Sequence, residues 1–325
     1  MEDRPFIPPY LALTLGVFAV STAAIFIRFA QQYAPSLVIA AYRLNLAVLL
    51  LAPWVLYHNR EELKRLHARQ LWLALLSGVF LALHFATWIQ SLEYTTVASS
   101  VVLVTTTPLW VALISPFTLR EPLTRNAAIG MGLALLGGIG IGLSDACIWQ
   151  NGVFACPSFQ DALQGSAVYG DLLAVIGAMM AALYLTIGRS LRSKVSLGSY
   201  IFVVYGAAAV VLLLFTVTTG IFITGPSHGS GEYLFGYPPQ TYLWFALLAL
   251  VPQLLGHTSF NWALRYLSAA FVSISLLGEP IGSTLLAYIF LNETPSLFKV
   301  FGAILILAGI YTASRSEKSA PAVPA

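Results

Sequence analysis

The sequence predicts an all-α polytopic membrane protein, with ten transmembrane helices arranged as two inverted five-helix repeats. Three observations predict it. First, hydrophobic residues make up 58% of the 325 positions and charged residues only 9%, against roughly a quarter charged in soluble proteins. Mean hydropathy is +0.82, and a soluble core has no room for that much apolar chain. Second, ten segments approach the ~20 apolar residues that a helix needs to cross a bilayer. Third, the two halves of the chain align with each other without a gap over residues 71–137 and 243–309.

Taken in order, residues 1–9 read as a cytoplasmic N-terminus. "MEDRPFIPPY" is mixed in charge and carries no cleavage signal, so no removable signal peptide is expected. The first repeat spans 10–143, with helices expected at 10–30, 36–56, 71–91, 96–118 and 126–143. An outer loop follows at 144–166. The second repeat spans 167–314, with helices at 167–188, 198–221, 241–262, 268–290 and 297–314. Residues 315–325 form a cytoplasmic tail whose Pro/Ala-rich end is expected to be disordered.

Orientation comes from the basic residues. With the N-terminus inside, Arg60, Lys64, Arg65 and Arg69 share one inner connection, and Arg120 with Arg125 another. Arg189, Arg192 and Lys194 follow, then Arg265 and Arg315, while Lys299 stands alone on the outer side. Positive charge collects on cytoplasmic loops, so both termini are expected in the cytoplasm and the protein in the cell membrane. Both cysteines of the chain, Cys147 and Cys156, fall in the outer loop. They are a disulfide candidate in an oxidising compartment.

Sliding the chain by 172 residues sets Trp72 on Trp244, Tyr94 on Tyr266, Pro108 on Pro280 and Glu121 on Glu293. It also sets Gly130 on Gly302 and Gly137 on Gly309, and 18 of 67 positions are identical. An odd number of spans per repeat turns one repeat upside down relative to the other. Glu93 then faces outward and its equivalent Arg265 inward. Inverted repeats are a mark of secondary transporters.

The stretches "TTPLWVALISPFTLREPLTRNAAIGMGLALLGGIGI" (106–141) and "LLGEPIGSTLLAYIFLNETPSLFKVFGAILILAGIY" (276–311) each read as a proline in a helix, a terminal glutamate and a glycine-rich closing helix. "IRFAQQYAPSLVIAAYRLNLAVLLL" (27–51) adds a helix pair with an internal arginine. In these stretches the chain resembles the drug/metabolite transporter superfamily, in its ten-helix EamA-type branch. The resemblance implies two EamA repeats and export or exchange of small metabolites, amino acids among them. The cysteine-bearing loop is longer than the minimal connector of that family.

Polar residues inside spans are functional candidates by default. Gln253, His257 and Asn261 recur every four residues, as do Ser275, Glu279 and Ser283. With Arg43, Asn45, His84, Trp88 and Trp110, the residues His257, Asn261, Glu279 and Ser283 are the expected lining of a midplane substrate site. Glu279 and His257 are the candidates for moving a proton. Arg43 either pairs with Glu279 or binds a substrate carboxylate, and Glu279 either binds substrate, carries a proton or only neutralises Arg43.

The expected function is therefore secondary transport of small metabolites by alternating access, by export or exchange and with possible proton coupling. An uncoupled facilitator or exchanger is the alternative, with a membrane-embedded enzyme or a sensor further behind. No nucleophile motif, metal-ligand spacing or phosphate loop occurs, so neither an enzyme, a cofactor nor a metal is expected. The net charge of +3 calls for no nucleic-acid partner. The expected partners are a small-molecule substrate and the lipid bilayer, and the sequence leaves monomer or homodimer open.

Overall fold

The computed structural model of the chain describes residues 5, 7–95, 97–146, 148–150, 153–155, 166–224, 231–291 and 297–317. Helix occupies each of the ten expected spans. Among the described residues seven helices, beginning at Pro9, Ser36, Ala68, Ser100, Val168, Leu197 and Pro239, are long and apolar enough to cross a membrane. Shorter apolar helices run over Ala269–Ser283 and Val300–Arg315. The last helix of the first repeat, α8 (Arg125–Ala146), continues past the expected boundary at 143. The region read as a bare loop holds a two-stranded hairpin, β1 (Ile148–Gln150) and β2 (Val153–Ala155), with Ile148 opposite Ala155. The disulfide candidate Cys147 and Cys156 lies outside the described residues.

Four of the ten expected spans are not single regular helices among the described residues. The first is split into α1 (Pro9–Ser21) and α2 (Ala23–Gln31) at Thr22, whose hydroxyl bonds back to the Ala19 carbonyl at 2.7 Å. The fourth is split into α6 (Val97–Val104) and α7 (Thr107–Thr118). The ninth is split into α14 (Ala269–Leu276) and α15 (Glu279–Leu291). The last two breaks share one cause. Pro108 and Pro280 each stand second in the new helix, where a residue without an amide hydrogen costs no hydrogen bond. The same ring in the middle of a continuous helix would clash with the preceding turn. In the eighth span, α12 (Pro239–Leu248) passes into a π-helix over Ala249–His257 and then α13 (Thr258–Ala263). Pro252, which has no amide to donate, lies inside the π-helix.

The remaining elements are α3 (Ser36–His58), the short α4 (Arg60–Arg65), α5 (Ala68–Tyr94), α9 (Ser166–Arg192), α10 (Leu197–Thr224), α11 (Gly231–Leu234) and α16 (Leu297–Glu317). The two closing helices, α8 and α16, cross at glycines. A Cβ on Gly130 would meet the Gly309 carbonyl oxygen at 2.4 Å, one on Gly309 would meet that of Gly130 at 2.4 Å, and one on Gly137 would meet that of Gly302 at 2.5 Å. The sequence repeat equates Gly130 with Gly302 and Gly137 with Gly309. The Gly130–Gly309 contact therefore maps onto the Gly302–Gly137 contact, as a two-fold relation between repeats requires.

Candidate functional site

Where the broken helices meet α3, α5 and α9, a cavity of about 50 Å³ lies between them. That is room for roughly three to five waters at about 10–15 Å³ each. Its lining includes Val20, Ala23, Arg43, His84, Trp88, Val104, Thr107, Tyr184, Leu185, His257, Phe260, Leu276 and Glu279. Several of these are equivalent pairs under the 172-residue shift: Trp88 with Phe260, Val104 with Leu276, and Thr107 with Glu279. The cavity thus sits where the two repeats face each other.

Arg43 projects from α3 and is fully buried. Its Nε donates to Gln253 Oε1 at 2.9 Å, and its guanidinium carbon stands 4.0 Å over the Phe85 ring. An aromatic face attracts a cation, more so where water is excluded. Nη1 and Nη2 have no hydrogen-bond partner within the protein. Glu279 is the first residue of α15, and the positive end of a helix dipole favours a carboxylate there. Its Oε1 is likewise buried and unpartnered. Among the described residues the side-chain ion pairs are Lys64–Glu61 and Arg189–Glu121. Arg43 and Glu279 thus line one cavity without being bonded to each other.

The imidazoles complete the wall. His84 Nδ1 lies 2.9 Å from the Gly177 carbonyl oxygen. A carbonyl only accepts, so Nδ1 carries the hydrogen and neutral His84 keeps Nε2 as an acceptor. Its ring stacks on Trp88 at 5.9 Å and 13°. His257 lies with its ring centroid 6.3 Å from that of His84. Its Nδ1 and the Trp88 Nε1 are buried without partners.

Behind this wall runs a second layer. Asn261 Nδ2 bonds the hydroxyls of Tyr184 at 2.5 Å and Tyr205 at 3.2 Å. Tyr205 in turn meets the Thr258 hydroxyl at 3.2 Å. Asn261 therefore props the cavity-lining Tyr184 and is not itself in the lining. Three further sequence candidates lie away from the cavity. Asn45 Nδ2 bonds the carbonyls of Ala41 at 2.8 Å and Ala209 at 3.4 Å, tying α3 to α10. Ser283 Oγ donates to the Ser21 carbonyl at 3.3 Å, and Trp110 packs against the apolar core. The expected stripe Ser275–Glu279–Ser283 is interrupted by the break before Glu279, and Ser275 bonds back to the Phe271 carbonyl at 2.9 Å.

Sequence reasoning had not assigned Tyr184, Phe85 or Phe260 to the site. The repeat itself carried the signal for the last two, since Phe85 is the equivalent of His257 and Phe260 that of Trp88. Among the described residues, no three His, Cys, Asp or Glu side chains gather as a metal site would need.

The arrangement offers three unmet donors (Arg43 Nη1 and Nη2, Trp88 Nε1), one unpartnered imidazole nitrogen, one unmet carboxylate oxygen and an apolar surround. Comparison with known proteins agrees with a membrane carrier. The EamA-like transporter family matches residues 7–143 and again 168–315. A protein of Archaeoglobus fulgidus named only as an uncharacterized transporter is 23% identical over 307 residues, covering 94% of this chain and 96% of that protein. A second from the same organism, with the same name, is 25% identical over 313 residues, covering 94% and 98%. A crystal structure at 18% identity superposes with a TM-score of 0.69, covering 96% of this chain and 98% of the other, a likeness of fold alone. Matched twice along its length by one family, the chain belongs to the EamA-like transporters and is a multi-pass membrane protein.

Proposed function

We propose that the protein is a secondary carrier of small zwitterionic or amphipathic metabolites such as amino acids, working by alternating access as an exporter or exchanger. The observation that carries this reading is the set of unpartnered polar atoms in one cavity: Arg43 Nη1 and Nη2, Glu279 Oε1, Trp88 Nε1 and His257 Nδ1. Buried polar atoms are rarely left unbonded, so this set reads as the imprint of a ligand. Its chemistry follows from theirs. A carboxylate fits the paired donors of a guanidinium, and an ammonium fits Glu279. An apolar side chain fits Val104, Leu185, Phe260 and Leu276.

In this reading the ten helices span the membrane as two inverted five-helix repeats. The termini lie in the cytoplasm, and Glu279 exchanges a proton as access alternates. The breaks at Thr105–Thr106 and Leu277–Gly278 suit carriers, whose discontinuous helices present their ends at the midplane. In this reading Cys147 and Cys156 are joined as a disulfide in the outer compartment.

The test is uptake into proteoliposomes by protein reconstituted with labelled amino acids, their methyl esters and their deaminated acids. Both the ester and the deaminated acid should compete far more weakly than the parent amino acid. Equal competition by all three overturns the zwitterion reading.

A further inference from the structure

Just beyond the cavity floor lies a polar cluster that the proposed carrier cycle has not yet used. Leu185 on α9 and Phe260 on α13 line the cavity. Arg189 and Leu264 lie four residues further on, about one helical turn, toward the face where α1 begins. Gly188 lets α9 and the Leu264 segment approach, since a Cβ there would meet the Leu264 Cδ1 at 2.9 Å.

Arg189 makes three bonds. Its Nε donates to Glu121 Oε1 at 2.8 Å, and its Nη1 donates to the carbonyls of Leu264 at 2.9 Å and Arg265 at 3.4 Å. Those carbonyls follow the last residue of α13, where the negative end of the helix dipole attracts a cation. One guanidinium therefore ties α9, the end of α13 and the 119–124 connection of the first repeat. The pair is largely shielded, with side chains 13% and 23% exposed.

The residue before Glu121 supplies a second observation. Arg120 has φ 56°, a left-handed conformation uncommon outside glycine. Such a backbone persists where the surroundings hold it in place, and here the neighbouring Glu121 is held by Arg189. Arg120 stands one residue beyond Leu119, the C-cap of α7, where a left-handed residue is a common way to end a helix, and this turn sends Glu121 back toward Arg189.

We infer that Arg189 and Glu121 form a gate latch, fastened in this structure, that must part before the cavity opens to the face bearing residues 119–124. The inference rests on the cavity being the transport path. A solute leaving between Leu185 and Phe260 would meet this guanidinium next. Modest strength suits a gate, which must open as readily as it closes.

The test uses Ala181→Cys, at a cavity-lining position, in a background carrying Cys147→Ser and Cys156→Ser. Labelling by a charged, membrane-impermeant methanethiosulfonate is timed in vesicles of each orientation. Arg189→Ala or Glu121→Ala should speed labelling from the 119–124 face by about tenfold or more, the scale of losing a charge-assisted hydrogen bond. Glu121→Gln, which keeps an acceptor for Arg189 Nε but loses the charge, should speed labelling less than Glu121→Ala, a graded response that a merely loosened fold would not give. If the alanine variants fail to reach the membrane, Arg189→Lys should give an intermediate rate, because it keeps the charge but loses the forked donors. Unchanged rates from that face, or a Glu121→Gln rate no slower than that of Glu121→Ala, overturn the latch alone. Failure to label Ala181→Cys from either face in every variant overturns the transport path, and the latch with it.

Discussion

Phe85 and His257 meet edge to face, ring centroids 5.1 Å apart at 69°, and each is the other's equivalent in the repeat. Contact between equivalent positions is possible only near the axis that relates the repeats. The cavity beside them is therefore axial, and three equivalent pairs, Trp88 with Phe260, Val104 with Leu276 and Thr107 with Glu279, stand in its wall. The charges are not duplicated. Arg43 and Glu279 are single, and Thr107 stands where a second carboxylate would be.

Arg43→Ala should raise the half-saturating concentration of a carboxylate substrate by about 10- to 100-fold, the loss of a hydrogen bond to a charged group. Arg43→Lys should recover only part of it, because an ammonium lacks the planar fork and the Nε bond to Gln253. Initial uptake rates across substrate concentrations read both effects.

Glu279→Gln should abolish accumulation driven by a pH gradient while leaving exchange of substrate for substrate in gradient-free vesicles. A variant that still accumulates at the wild-type level removes Glu279 from proton coupling.

Gly130→Ala should destabilise the fold by about 1–3 kcal/mol, the usual cost of overpacking, since the new methyl would lie 2.4 Å from the Gly309 carbonyl oxygen. Gly132→Ala is the control. Nothing lies within 4 Å of its Cβ position, and the gain in helix preference should stabilise by about 0.5–1 kcal/mol. Thermal melts of detergent-purified protein compare the two.

Glu62, on α4 outside the spans, should make stability depend on pH at the acid end. Burial raises its carboxyl pKa, but donors on Ser196, Ser199 and Asn59 outweigh burial and hold it below the ordinary 4.5. A lowered folded-state pKa contributes stability that is fully present above the unfolded value and lost as pH falls through the folded one. Below about pH 4.5 the wild type should lose melting temperature faster than Glu62→Gln, with parallel behaviour near neutrality. A constant gap across that range removes the carboxylate's role.

The spans were legible because apolar length is a property of composition, and the breaks before Glu279 and Thr107 because Pro280 and Pro108 recur in register. The π-helix was not legible. Reading Gln253, His257 and Asn261 as one stripe assumes regular α geometry throughout, whereas the wider π turn changes the angle between positions four apart. As a result Gln253 reaches Arg43, His257 faces the cavity and Asn261 braces Tyr184. Long-range partners were also beyond reach. Arg189 and Glu121 are 68 positions apart, and nothing local in either segment names the other. Asn45 and Ser283 looked like lining because polarity inside a span does not reveal which neighbour satisfies it.

The solitary carboxylate has a kinetic consequence. If both repeats carried the same charge, the two access states would offer a solute the same reception from either side of the bilayer. With a hydroxyl at Thr107 answering Glu279, the two entrances differ. The half-saturating concentrations measured from the two sides should therefore be unequal, with maximal velocities unequal in the same proportion, since a passive cycle can have no net drift at equal concentrations. Such a carrier rectifies: under saturating solute it runs faster in one direction than in the other, and substituting Thr107 with glutamate should narrow that ratio.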